Sequence, residues 1–599
     1  MQKQERVRAA STIDAATCLS CLPPVPLAVL LMAVVLPLQA QVQVRPDAGS
    51  LLESVRPPGQ AAPQPPRAVL PAARPEGAGA PNGAAQVVVR RVVVDSAKLV
   101  SQAELESLVA DLVGKTVSLD DLNQAAARIT ARYVELGYFL SRAVLPLQDS
   151  RDGTVRFRVI EAVYGRAETA SAGVDAAGKP LVRLNKSRAD QVLAAQGVKP
   201  GAPVQRAPLE RGVLLLGEIP GIQSQANLSP GTATGSSDLL VDLQESALIT
   251  GQVGADNLGG HYTGAGRVNG ALRINDALGL GEVFRVNGLK SSGLNLLSAG
   301  AQAPVGASGW RVGVNAVHLD YSLCCTFAAL GAKGQLQTLG LNASYPLILS
   351  PLQILTAGVS LERRHSTDET VAGQIANRRV NAATANLNWA RSDPWGGLNS
   401  LYGAATFGRL DLSANAASQL FDAATARTQG SYTKVRVDYS RMQNFSATHR
   451  LQVRLSAQLA SKNLDSSEKF SLGGSDGIRA FVQGEAAGDQ AMLASVEYGY
   501  LLPWQTTGRL EALAFVDVGR TQLNKTTWPG YQGTRPGLPN SYTLSGAGVG
   551  LRWNLSNGLA LQASLARQLG SNPGRLASGE DADGRTGRSR LLFTLNVPF

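Results

Sequence analysis

The chain has 599 residues, a formal charge of +11 and only four cysteines. Beyond the N-terminus it contains no apolar run of the roughly 18–20 residues that a membrane helix needs, so helical spans are excluded. Its arginines are scattered and form no clustered basic run with interleaved aromatics, so nucleic acid is not expected as a partner.

The first 40 residues read as a secretory signal peptide (1–40). Lys3, Arg6 and Arg8 form a charged start, Val25 to Leu38 is apolar, and Ala40 stands before Gln41 at the cleavage point. Its removal takes three cations and two anions (Glu5 and Asp14), leaving about +10 on the mature chain. Cys18 and Cys21 precede the apolar stretch, whereas an acylated cysteine must follow it, so lipoprotein processing is set aside. The mature chain keeps the adjacent pair Cys324-Cys325. Such a pair cannot staple distant parts, and the sequence leaves its redox state open.

Residues 41–56 hold a short helical segment, Pro46 to Val55, with Leu51, Leu52 and Val55 on one face. Residues 57–86 form a linker rich in Pro, Ala and Gly. That composition cannot bury a core, and in extended form it reaches on the order of 80 Å.

Two α+β units follow, 87–165 and 166–246. In the first, Val87 to Val94 reads as a strand, and Ser101 with Glu104 as a capping box for a helix Gln102 to Val113. Ser118 with Asp121 starts a second helix, Leu119 to Leu136, stopped by Gly137. Tyr138 to Leu147 and Thr154 to Val163 alternate as a hairpin. The second unit repeats the order β-α-α-β-β: a strand near Leu181, helices Lys186 to Gln196 and Ala207 to Leu216, then strands Gln223 to Leu228 and Asp238 to Gln244.

From 247 to 599 the chain is a series of segments in which apolar and polar residues alternate. In the last, Leu591, Phe593, Leu595, Val597 and Phe599 share one face, and Leu592, Thr594, Asn596 and Pro598 the other. Leu451, Val453, Leu455, Ala457 and Leu459 oppose Gln452, Arg454, Ser456 and Gln458. Ala547, Val549, Leu551, Trp553 and Leu555 oppose Gly546, Gly548, Gly550, Arg552 and Asn554. One such strand would suit a soluble sandwich. Recurrence over 353 residues, mostly of small apolar and Gly types with aromatics at 5% of the chain, describes a transmembrane β-barrel. Sixteen strands can be placed, about 22 residues each with its connection; the spacing also accommodates fourteen or eighteen.

No catalytic constellation is present. His261, His318, His365 and His449 are dispersed without paired-ligand spacing, and there is no nucleophile elbow or phosphate-binding loop, so neither enzyme activity nor a metal or cofactor is expected. Gly473 to Gly477 (GGSDG) lacks the strand-to-helix context of a phosphate cradle. One strand carries a polar residue of note. Leu513, Phe515, Asp517 and Gly519 share a face opposite Ala512, Ala514, Val516 and Val518, which puts Asp517 inside the barrel.

Two β-α-α-β-β units ahead of a sixteen-strand barrel resemble the POTRA–barrel transporters of two-partner secretion, the TpsB type that includes haemolysin secretion/activation proteins. The likeness covers nearly the whole mature chain. It is carried by Leu228-Ser-Pro-Gly231 with Gly235-Ser-Ser-Asp238-Leu239, by Asp256-Asn257, Gly260, Thr263-Gly264 and Arg267, and by Pro146, Gln148 and Asp152-Gly153. Its most specific elements are Gly477-Ile478-Arg479-Ala480-Phe481 and Phe515-Val516-Asp517-Val518-Gly519. The resemblance implies that the sixth extracellular loop folds into the lumen and presents Ile478, Arg479, Ala480 and Phe481 to an inner-wall motif of Phe515, Asp517 and Gly519. Ala480 departs from the family's Gly, which implies a locally different turn. The resemblance also makes Leu51, Leu52 and Val55 part of a plug helix, and Phe599 a barrel-assembly signal. It implies an outer-membrane location with periplasmic POTRA units, a secreted TpsA-type exoprotein as partner, and contacts with lipid and the barrel-assembly machinery. A barrel-inserting assembly factor is the nearest rival, but such factors carry more POTRA units. A passive porin would need neither the repeats nor the Arg/Asp pair.

Overall fold

The computed structural model describes residues 46–55, 86–171, 173, 181–503, 508–533, 535 and 537–599. The expected signal peptide, 1–40, and residues 57–85 of the Pro-rich linker lie outside them.

Sixteen antiparallel strands, from Ile249–Asp256 to Ser589–Pro598, close into a barrel. Closure satisfies every ladder position without an exposed edge, which hydrocarbon would penalise by several kcal/mol per group. The seam runs from Thr594 opposite Asp256 to Pro598 opposite Gln252, and Phe599 extends it with two backbone hydrogen bonds to Gly251, 2.9 and 3.0 Å. Period-two alternation holds at the wall: Leu591 is 65% exposed and Leu592 only 7%. Strands Lys333–Leu349, Gln353–Thr370 and Gly373–Ser392, of 17, 18 and 20 residues, far exceed the roughly 9–11 needed to cross a bilayer, so they stand proud of the membrane.

Each α+β unit is a three-stranded sheet in which the first strand runs parallel to the third and the second completes an antiparallel edge. In the first unit Arg91–Asp95 pairs with Thr154–Ile160, which pairs with Arg142–Val144. In the second, Val163–Ser171 pairs with Ser236–Glu245, which pairs with Ile222–Pro230. Helix Leu119–Glu135 starts at Ser118 with a full capping box to Asp121.

Several local expectations need correction. The strand expected over Val87 to Val94 is two strands, because Gln86–Val88 pairs with Thr116–Ser118 while Arg91–Asp95 pairs with Thr154–Ile160. The helix expected to run to Val113 ends at Ser107 and gives way to a 3₁₀ turn, Ala110–Leu112. Ser101 caps it, but Glu104 turns away to Arg132 at 2.9 Å and does not close the box. Only Arg142–Val144 of the expected Tyr138 to Leu147 segment forms a strand. The first strand of the second unit is not near Leu181, which is exposed; it is Val163–Ser171, so the units meet at about Ala162. A bulge between Tyr164 and Ala167 interrupts its alternation and hides it.

The second unit is bolted to the barrel's near end. Arg188 donates to the Pro304 carbonyl at 2.6 Å, and Arg211 to the Pro346 carbonyl at 2.8 Å and the Tyr345 hydroxyl at 3.2 Å. Leu215 and Ile219 share one apolar cluster with Leu349, Ile354 and Ala390. Burial at this junction pushes the Glu218 carboxyl up from its ordinary value, against the pull of Arg311 and Arg211. Since the chain enters the barrel at this end, the turns at 276–282, 306–309, 350–352, 393–396 and 445–448 lie on the same side as the two α+β units.

Candidate functional site: a pinned loop and a helix inside the barrel

Residues 461–489 connect strands His449–Ala460 and Gln490–Leu501 and fold inward. At the tip, Arg479 meets Asp517 by three bonds: Nε at 3.0 Å, Nη2 at 2.8 Å and its own backbone N–H at 3.1 Å. The guanidinium lies 3.4 Å from the centre of the Phe515 ring, a cation–π contact. Gly519 completes the motif by leaving space. A Cβ there would stand 2.7 Å from a Leu472 methyl and 3.3 Å from one of Ile478. Phe515 therefore stacks, Asp517 bonds and Gly519 makes room. Ile478, Ala480 and Phe481 are all buried in one cluster with Leu472, Phe515 and Leu544.

Ala480 causes no strain, since it is absent from the positions with positive φ among the described residues. Its methyl points at Gly546, where a Cβ would come within 2.6 Å. The side chain the family lacks here is accommodated by a glycine on the facing wall.

Further residues belong to this site that the sequence reading did not single out. Ser495 donates to Asp517 at 2.7 Å and Arg479 to Glu497. Glu497 also meets Arg552 at 3.3 Å, and Arg552 and Arg450 both meet Glu511. The result is a chain of alternating charges across four wall strands. Register was the missing signal: Ser495 lies directly opposite Asp517, and Glu497 opposite Phe515.

Helix Ala48–Val55 packs against the inner wall. Ala48, Leu51 and Leu52 are buried, and Val55 partly so, among Leu294, Leu319, Tyr321, Phe327 and Leu336. Leu336 faces inward on a strand whose Leu339 and Leu341 face out, which puts the helix inside the barrel. Polar contacts hold its start. The Ala48 N–H donates to Asp368 at 3.0 Å, and Arg378 pairs with Asp47 at 3.1 Å and with Asp465 at 3.3 Å. Ser466 of the inward loop donates to Asp47 at 2.8 Å. A Cβ at Gly49 would lie 2.6 Å from the Ser466 hydroxyl, so only glycine lets helix and loop approach this closely. Ser467 and Glu468 in turn accept from Arg364 at 2.8 and 2.9 Å, and Lys434 reaches Glu468 at 2.7 Å.

Phe599 is exposed on the outer face beside Gly251. Cys324 and Cys325 form a vicinal disulfide at the head of a 3₁₀ turn, Cys325–Leu330, which delivers Phe327 to the helix socket. The four histidines lie apart. His318 pairs with Asp320, His365 with Asn377 and His449 with Tyr498. Among the described residues no cluster of His, Cys, Asp or Glu is arranged to hold a metal.

A closed sixteen-strand barrel carrying α+β units at one end and a loop pinned by Arg479 and Asp517 within defines an outer-membrane transporter of the POTRA–barrel type. The family model for the haemolysin secretion/activation proteins (ShlB/FhaC/HecB) matches residues 235–553, and that for the ShlB-type POTRA domain matches 87–162. The chain belongs to the haemolysin secretion/activation family of two-partner secretion transporters. The heme/hemopexin transporter protein HuxB of Haemophilus influenzae is 27% identical over 474 residues, 78% of this chain and 81% of that protein. The outer membrane transporter CdiB of Escherichia coli is 26% identical over 340 residues, 53% of this chain and 55% of that protein. Solved structures share the fold. CdiB from Escherichia coli superposes with a TM-score of 0.69 at 22% identity, covering 89% of this chain and 94% of its own. CdiB from Acinetobacter baumannii gives 0.61 at 16% identity, covering 90% and 95%. Transport of a secreted partner exoprotein across the outer membrane is therefore the activity of this family.

Proposed function

We propose the following route for the exoprotein. It arrives unfolded and adds as a strand to an open POTRA edge, a mode that uses main-chain hydrogen bonds and tolerates varied side chains. Strand Ile222–Pro230 offers the longest such edge. It has nine residues and is paired on one side only among the described residues. The opposite edge, Val163–Ser171, is partly closed, because Ala202 takes the Tyr164 N–H and Asp190 takes that of Thr169. The N-terminal helix closes the barrel at rest and withdraws on its Pro-rich tether to admit the chain. Folding outside then discourages return. Outer-membrane lipid covers the apolar wall, and the barrel-assembly machinery reads the terminal aromatic, Phe599.

The observation that carries this reading is the contact of Asp47 and Gly49 with Ser466, which joins a removable helix to the loop that Arg479 anchors. Export tests it. The neighbouring reading frames are searched for a large β-repeat protein with a secretion domain near its N-terminus, the candidate is co-expressed with this chain, and the medium is assayed. That protein should reach the medium only with the intact transporter; equal release without it overturns the proposal.

A further inference from the structure

The outer wall of the barrel carries an arginine where hydrocarbon should be. Arg441 lies on strand Gly430–Asn444 and shares its outward face with Val435 and Val437, which are 43% and 41% exposed. Its cross-strand neighbour is Val453, and that of Gln443 is Leu451, both also outward. A guanidinium on the lipid face is costly near the bilayer centre and tolerated only at the interface. Arg441 sits close to the periplasmic turns 393–396 and 445–448, at the depth of the inner-leaflet headgroups.

A groove of about 430 Å³ opens there, lined by Trp395, Arg441, Gln443, Phe445, Leu451 and Val453. Trp395 and Phe445 stand 79% and 66% exposed, one in each turn, as interfacial aromatics do. The arginine is held in place. Its Nη1 donates to Asp393 at 2.6 Å and to the Asn399 Oδ1 at 2.8 Å, and its Nη2 to Gln443 at 2.6 Å. Gly397 leaves it room, since a Cβ there would come within 2.5 Å of Nη2 and push the side chain aside. A guanidinium has five N–H donors, and three are thus engaged. The Nε–H and the second hydrogen of Nη2 have no protein acceptor among the described residues. Two N–H donors of the guanidinium therefore remain for the oxygens of a phosphate.

We propose that this groove is a binding site for one glycerophospholipid of the periplasmic leaflet. Its phosphodiester takes the two free donors of Arg441, and its acyl chains run up the apolar wall past Leu451 and Val453 between Trp395 and Phe445. The free donors beside the Arg441–Asp393 ion pair, the flanking aromatics and the place next to the periplasmic turns all fit a lipid headgroup, and no part of the groove faces the lumen. The bound lipid fixes the height of this side of the barrel in the membrane.

Native mass spectrometry of the full-length protein tests the site. Detergent-purified protein is titrated with phosphatidylethanolamine, phosphatidylglycerol, a diacylglycerol of the same chains, and inorganic phosphate alone. Both phospholipids should bind a highest-affinity site that diacylglycerol does not fill, and phosphate should not displace them. Arg441→Gln should weaken that site by about tenfold, the loss expected when a charged hydrogen-bonding partner is removed. Arg441→Gln leaves Asp393 without its cation, so the neutral pair Asp393→Asn/Arg441→Gln is measured as well, along with Trp395→Ala. Wild-type affinity in the folded variants, equal binding of diacylglycerol, or displacement by phosphate alone would each overturn the proposal.

Discussion

Ser466 donates its hydroxyl to the Asp47 carboxylate at 2.8 Å, so the N-terminal helix rests on the same loop whose tip, Arg479, is fastened to Asp517. Removing the helix should therefore open the lumen while leaving the wall intact. Deletion of residues 41–83 is expected to raise single-channel conductance in planar bilayers several-fold and leave a heat-modifiable barrel. Asp47→Asn, which weakens the contacts with Arg378 and Ser466, should raise opening frequency less than the deletion does. Unchanged conductance in both would mean that the helix does not obstruct the lumen.

Arg479 and Asp517 are both buried, and breaking a buried pair typically costs about 3–5 kcal/mol because one charge is left unpaired. Each alanine substitution should cripple secretion without preventing membrane insertion, since neither residue touches the lipid face. The wider network orders the two. Arg479→Ala strands Asp517 without a cation and leaves Glu497 to Arg552 alone at hydrogen-bond range, whereas Asp517→Ala leaves Arg479 with Glu497, so the arginine variant should be the worse. The double variant should secrete no less than Arg479→Ala, because it removes the stranded carboxylate. Strictly additive losses would show that the residues do not act together.

Steric blocking gives the same prediction without altering charge. Gly519→Val places methyls where Leu472 and Ile478 now sit, so the loop tip cannot seat and export should fall to the level of Arg479→Ala. Trypsin sensitivity of the loop at Arg479 in intact cells checks the cause. A Gly519→Val protein with a protected loop and normal export would remove steric fit from the account.

Much of this architecture was legible because the physics that makes it is local. Alternation alone marks an outward Leu591 and an inward Asp517, and a closed barrel follows from enough such strands. Glu497 and Ser495 were not legible, since every inner face carries a polar residue at alternate positions and only the register shows which of them meet Arg479. The same holds for Asp47, Asp368, Asp465 and Arg378, which lie far apart in the chain and converge only when helix, wall and loop are packed. Strand Val163–Ser171 escaped for another reason: its inward positions include Thr169, and its bulge breaks the period.

The two POTRA units differ in how they can be removed. The second is fastened to the barrel through Arg188, Arg211 and the Leu215 cluster, so its loss should destabilise the whole protein. The first joins the second through Arg206 over the Phe139 ring at 4.8 Å and a backbone bond from Arg206 to Gly137 at 2.9 Å. Deleting residues 87–162 should leave a folded barrel in the membrane that neither binds nor exports the exoprotein. Normal export by this truncated chain would reduce the first unit to a spacer.

The most direct measurement of the central claim is reconstitution. Purified full-length protein is placed in lipid vesicles, the urea-unfolded partner exoprotein is added outside, on the POTRA side, and the fraction protected from protease is followed in time. Wild-type vesicles should accumulate protected, folded exoprotein without nucleotide, and Arg479→Ala vesicles should fall at least about tenfold behind, as a loss of some 1.4 kcal/mol or more at the working site requires. Protection equal to that of protein-free vesicles, or equal in wild type and Arg479→Ala, would contradict secretion through this barrel.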